Sequence, residues 1–309
     1  MTSISNPSSV SIAAARSKRR RHLMEFARLA LIQIVMTVVV ITFLVPFLWM
    51  VSSSLKASTE IFTTKMVWIP RNPHWGNFAK VFEIMPFSTF IVNTAWVVVF
   101  AVMGTVISSA MVAYSFARLR WPGQDAWFGL LLATMMLPVV ITLIPRFIIF
   151  RSLPAFGFQG ESNWLNTFLP LTVPFWFATT PLFVFLMRQF FKGIPMELEE
   201  AALIDGAGRM RILTTIILPL SKPVLATVAV FATLQHYQEF LEPLIYLKTL
   251  DRWTLAVGIA SLNANESFGS SWELVFAAGT IMTLPMLLLF LVAQRYFVQG
   301  ITMTGFGGR

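Results

Sequence analysis

The sequence predicts an all-α membrane protein with six transmembrane helices. Apolar residues dominate it: 56% of its 309 residues are hydrophobic and 12% are charged, with a mean hydropathy of +0.72. A soluble domain has about a quarter of its residues charged. The apolar residues gather into six long runs, each near the roughly 20 residues that a helix needs to cross hydrocarbon. Cationic side chains collect on alternate connecting segments, as insertion requires. Little length remains for a soluble catalytic domain. The 29 Phe and 10 Trp suit lipid contact and interfacial belts. Cysteine is absent, which excludes disulfides and thiolate metal sites. His22, His74 and His236 lie far apart in sequence and suggest no metal cluster. The formal charge of +9 is read by where it sits, and no nucleic-acid partner is expected.

Residues 1–28 read as a basic cytoplasmic tail. Its first 22 residues, Ser-rich and then basic (Arg16, Lys18, Arg19, Arg20, Arg21), cannot bury apolar area and are expected to be disordered. A retained first span follows at about 30–51; the run is too long for a cleavable signal. A polar outer loop reaches about Pro86. The second span, about 89–114, carries Gly104, Ser108, Ser109 and Ala110, small residues that let helices approach closely. After a short inner turn around Arg118 and Arg120, the third span covers about 126–150, with kinks expected at Pro138 and Pro145. Arg146, near its outer end, is expected to snorkel toward headgroups. A second outer loop precedes the fourth span, about 167–187, and an inner segment at 188–223 leads to the fifth, about 224–247. Residues 248–271 read as a third outer loop, 272–294 as the sixth span and 296–309 as a short tail. The six-span domain thus covers 29–295, with both termini inside. The inner segments then hold fifteen Lys and Arg and the outer loops with their margins eight, which agrees with that orientation.

The segment at 188–223 is the densest cluster of charge in the second half of the chain. Pro195 suits the first position of a helix. Glu197, Glu199 and Glu200 fall in its first turns, where the helix dipole favours negative charge. Gly206 can end that helix in a left-handed conformation. A second amphipathic segment with Arg209 and Arg211 runs to Leu218, and Pro219 and Pro223 break it. The expected shape is a helix–Gly–helix elbow on the membrane surface.

This elbow resembles the EAA loop of importer-type ABC transporter permeases. The matching residues are Glu200-Ala201-Ala202, Ile204-Asp205-Gly206-Ala207, Ile216-x-Leu218-Pro219-Leu220 and Pro223. Gly208 stands where Ser is usual. Further on, Glu239-Phe240 and Pro243-Leu244 resemble a segment of sugar-importer permeases, with Tyr237 and Gln238 in place of Trp and Asn. The tail from Gln294 resembles that family's ending. Together these imply a carbohydrate permease of the maltose-transporter type, with the type I ABC importer permease fold. The resemblance makes Glu200, Ala201, Ala202, Asp205, Gly206, Ala207, Arg209, Leu218 and Pro219 the ATPase-coupling loop. It implies four partners: a second homologous permease, an ABC ATPase dimer, an extracytoplasmic sugar-binding protein and the lipid membrane. ATP and Mg would bind on the ATPase; no cofactor is expected here, and the chain has no P-loop.

Polar residues of the fifth span form a second candidate site. Gln235, Gln238, Glu239 and Glu242 have i, i+3, i+4, i+7 spacing and would share one helix face, with Tyr237 beside them. Ionisable groups at membrane depth face a water-filled path or a partner. These residues would line the translocation path, with Tyr237 stacking on a sugar ring, or the contact with a second permease subunit; the plainer readings are interhelical hydrogen bonding and placement at the outer membrane surface. Met135, Met136, Phe175, Trp176 and Phe177 read as packing or lipid-facing residues. The rival readings are an ion-coupled secondary transporter using Glu239 and Glu242, which would call for internal repeats that the sequence does not show, and an integral-membrane enzyme, which would call for clustered His or Asp.

Overall fold

The structure, a computed structural model, describes residues 7–63, 67–264 and 271–305, with side chains for 24–63, 67–262 and 271–294. Fifteen α-helices occur among them: α1 (Pro7–Ser54), α2 (Ser58–Ile61), α3 (Gly76–Ile84), α4 (Phe87–Arg118), α5 (Gln124–Ala133), α6 (Val139–Ser152), α7 (Leu169–Thr172), α8 (Pro181–Lys192), α9 (Glu197–Ile204), α10 (Arg209–Ile212), α11 (Leu218–Leu220), α12 (Lys222–Gln238), α13 (Leu241–Tyr246), α14 (Leu255–Ala264) and α15 (Trp272–Gly305). Short 3₁₀ turns and a π segment at Leu213–Ile217 join some of them. No strand occurs among the described residues; Pro154 and Asn163 form one isolated bridge. Four stretches are long and apolar enough to cross a membrane, and six if each of two bent pairs counts as one span.

Helix α4 is the central post. It packs against α8, α12, α14 and the 173–177 turn. Small residues allow this closeness: a Cβ added at Gly104 would lie 2.6 Å from the Trp176 ring. Ser108 Oγ donates to Phe175 O at 2.9 Å and accepts from the Ala178 N–H at 3.0 Å. Around the C-terminal half of α4 one apolar core gathers Phe116, Phe183, Met187, Phe191, Ile212, Ile217 and Val228. A second joins its N-terminal end to α3, α14 and α15 through Phe87, Phe90, Leu255 and Leu274. Helix α1, by contrast, packs on α15 and exposes almost every side chain from Met24 to Leu48.

The fold departs from the sequence expectation at α1, α3, α14 and the third span. Helix α1 begins at Pro7, inside the stretch read as disordered. Helical hydrogen bonds are local, so the Ala-, Arg- and Lys-rich segment can extend the span without burying apolar area. The side chains of the basic cluster and of the tail ending lie outside the described residues, as does the backbone of 306–309. The segments expected to be the first and third outer loops contain α3 and α14. Helix α14 is apolar, but ten residues are too few to span, so it packs instead on α4 and α15. The third span is not kinked but broken: Gln124–Met136 and Val139–Ser152 meet at 101°. Pro138 stands in the break, whereas Pro145 lies inside α6.

Candidate functional site

The elbow is a short helix, a glycine and a second helix. Helix α9 starts at Glu197 with Met196 as its N-cap, so Pro195 precedes the helix rather than opening it. Gly206 has φ +79°, the left-handed value expected of it, and the Ala207 N–H bonds back to Ala202 O at 2.9 Å. Pro219 sits near the start of α11 and Pro223 near the start of α12, so the break falls between them at Ser221, with a bend of 81°. Glu200, Ala201, Asp205, Gly206, Arg209 and Pro219 are exposed, while Ala202, Ala207 and Leu218 are half-buried against the core. Ile204 stands 87% exposed at the tip.

What holds the elbow was not legible in the sequence. Glu199, one position before the matched Glu200, is buried. Its Oε1 lies 2.9 Å from Nε of Arg118, the last residue of α4, and both side chains are 2% exposed. The Tyr114 hydroxyl donates to Glu199 Oε2 at 3.5 Å. Arg118 Nη2 also donates to Phe191 O and Ile194 O, at and beyond the end of α8. One guanidinium thus ties α4, α8 and α9 together, and the neighbouring Arg188 donates to Phe116 O at 3.1 Å.

A second site lies toward the other end of α4. Three helix breaks converge there: Leu137 in the third span, Pro174 to Thr180 in the fourth, and Glu239 between α12 and α13. Non-helical backbone at membrane depth is tolerated where it is buried or lines a wet cavity. Here it borders a cavity of about 700 Å³. Gln235, His236, Glu239, Glu242, Arg146, Thr94 and Thr254 supply its polar wall. Arg146 does not reach away to headgroups; its Nη2 forms an ion pair with Glu242 Oε1. The general rule that intramembrane charges pair could have found this partner. His236 is 8% exposed and packs edge-on against Phe175, ring centroids 4.2 Å apart. Met135 and Phe175, read from sequence as packing or lipid-facing, line the cavity.

The shared helix face expected in the fifth span does not exist. Helix α12 ends at Gln238, and Glu239 has extended backbone (φ −63°, ψ 124°). Gln235, Glu239 and Glu242 meet in the cavity because the helix stops, not because it continues. Gln238 is exposed outside that lining. Tyr237 points the other way, into the core with Leu255 and Leu274, and its hydroxyl donates to Met282 O at 2.9 Å. It is unavailable for stacking on a sugar from this side.

Residues 104–303 match the family described as binding-protein-dependent transport system inner membrane component. The diacetylchitobiose uptake system permease protein of Streptomyces coelicolor is 30% identical over 95% of this chain and 92% of its own length. The sn-glycerol-3-phosphate transport system permease protein of Pectobacterium atrosepticum is 31% identical over 78% of this chain and 84% of its own. Among solved structures, a chain of a bacterial ABC transporter involved in import of the acidic polysaccharide alginate superposes with a TM-score of 0.72 at 22% identity, over 96% of this chain and all of that one. The match covers both the elbow and the broken spans, and the chain belongs to the family of binding-protein-dependent transport system inner membrane components, the multi-pass permease subunits of ABC importers.

Proposed function

We propose that this chain forms half of the translocation path of an importer for a neutral mono- or oligosaccharide. An extracytoplasmic binding protein delivers the sugar, a second related permease supplies the other half, and a separate ATPase dimer binds ATP and Mg. One observation carries the reading: α4 joins the two sites. It contributes Thr94 and Val97 to the cavity and ends at Arg118 on the elbow anchor. The exposed elbow face, with Ile204 at its tip and Glu200 beside it, is suited to a groove on the ATPase, where Glu200 would meet basic groups. Because Glu199 fixes α9 to α4, displacement of the elbow moves the wall of the cavity.

The cavity favours a neutral cargo. It carries the carboxylates of Glu239 and Glu242 against the one guanidinium of Arg146, so a phosphate or uronate would add negative charge beside an existing excess. Saccharide hydroxyls would find donors and acceptors in Gln235, Thr94 and Glu239. The test is uptake of labelled neutral disaccharides by the assembled transporter, with ATP hydrolysis followed in parallel. Glu200→Lys and Gly206→Val should abolish uptake while leaving membrane insertion intact. Normal uptake in both would sink the coupling assignment, and uptake of glycerol phosphate alone would sink the cargo assignment.

A further inference from the structure

We infer that the elbow end of α4 holds an anion site fitted to a phosphate group, apart from the translocation cavity. A pocket of about 310 Å³ opens there between the end of α4, the start of α5 and the end of α8. Twenty-four residues of α4 separate Arg118 from Thr94, roughly 36 Å along a helix axis, so the pocket and the cavity belong to opposite ends of the spans. Arg118, Arg120, Arg188 and Lys192 contribute its basic wall, and Asp125 is the carboxylate among its lining residues.

The charges do not balance. Glu199 matches Arg118. Arg188 is 8% exposed, yet among the described residues no ion pair joins it to a carboxylate. Its Nε donates to Phe116 O, and its guanidinium lies 3.8 Å from the Phe128 ring centroid. A carbonyl and a ring face offer partial charge only, and a buried cation is costly without a counter-ion. Arg120 and Lys192 are exposed at the pocket. Three cations therefore face the single exposed carboxylate of Asp125. A phosphate oxygen is the fitting partner, because the planar fork of Arg matches phosphate geometry and Lys adds a point charge. Basic pockets at the ends of membrane helices take lipid head groups by this chemistry. The same chemistry would take a free phosphate. Arg118 and Met196 border both the pocket and the root of the elbow, so occupation would brace the anchor.

The site can be tested without knowing the sugar. The delipidated transporter, purified with its partners, is titrated with phosphatidylglycerol, with phosphatidylcholine and with inorganic phosphate, and adducts are read by native mass spectrometry. The comparison is the double variant Arg120→Gln/Lys192→Gln; both side chains are exposed, so the fold should survive. Loss of two surface cations should weaken phosphatidylglycerol retention roughly thirtyfold and leave phosphatidylcholine unchanged. That result assigns a lipid head group. Inorganic phosphate binding that weakens in the variant, with no preference for phosphatidylglycerol, assigns a soluble anion. If neither anion distinguishes the variant from the parent, the site does not exist.

Discussion

At the scale of single residues, the telling contrast is Glu199 against Glu200. They are neighbours in a helix, so they point about 100° apart, and the bundle buries the first and leaves the second in solvent. Glu199→Ala would strand the Arg118 guanidinium in the core. Breaking a buried pair in this way costs about 3–5 kcal/mol, which should appear as a lower unfolding temperature in detergent and faster proteolysis at the elbow. Glu200→Ala should leave both unchanged and reduce ATPase retention on purification. Asp251 gives a pH-dependent counterpart near the N-terminal end of α4, where the Asn93 side-chain amide donates to Asp251 O. The hydrogen bond from the Thr249 side chain, then that from Arg252, holds its carboxyl below the ordinary carboxylate value. Arg252 in turn donates to Asn166 O at 3.0 Å and Gln159 O at 2.6 Å, latching two loops. A depressed folded-state pKa contributes stability above the unfolded value and loses it as pH falls through the folded one. Protection of the 248–253 amides relative to their intrinsic exchange should therefore fall on acidification below the ordinary carboxylate range, and Asp251→Asn should remove that dependence. Unchanged protection across that range would refute it.

At the scale of elements, the elbow and the broken spans each hinge on one backbone feature. Gly206 has open space where a Cβ would stand, so a substitution there meets only the backbone cost of φ +79°. That cost is about 1–2 kcal/mol for an L-residue, and β-branched Val should suffer most. Gly206→Asn, which tolerates the left-handed region, should retain most uptake where Gly206→Val loses it. Equal loss in both would point to side-chain clash with a partner instead. In the fifth span, the break at Glu239 is stitched by its own carboxylate, whose Oε1 accepts from the Leu241 N–H at 3.2 Å and the Glu242 N–H at 3.3 Å. Glu239 thus caps α13 as well as facing the cavity. Glu239→Gln should keep the cap and change cargo handling, whereas Glu239→Leu should lose both, a difference readable by comparing uptake with thermal stability.

At the scale of the whole molecule, α1 leaves almost every side chain from Met24 to Leu48 exposed and the elbow leaves Ile204 exposed at its tip, surfaces that the proposed assembly would cover. Tagged chain extracted from its native membrane in mild detergent should bring an ATPase and a second permease with it; a clean homo-oligomer without ATPase would return Glu239 and Glu242 to the ion-coupled reading. The sequence alone determined the membrane class, the approximate spans and the Gly206 elbow. All of these rest on local physics: hydropathy over some 20 residues, the positive-φ tolerance of glycine, and a motif of adjacent residues. Only tertiary structure decided which acidic residue anchors the elbow, that α14 packs as a short helix, that Arg146 meets Glu242 from 96 residues away, and that Tyr237 turns into the core. The physical reason is common to all four. Periodicity assumes that a helix continues, and it assigns a face without knowing what lies opposite. Where α12 stops at Gln238, spacing loses its meaning, and the partner across the bundle decides which way each charge points.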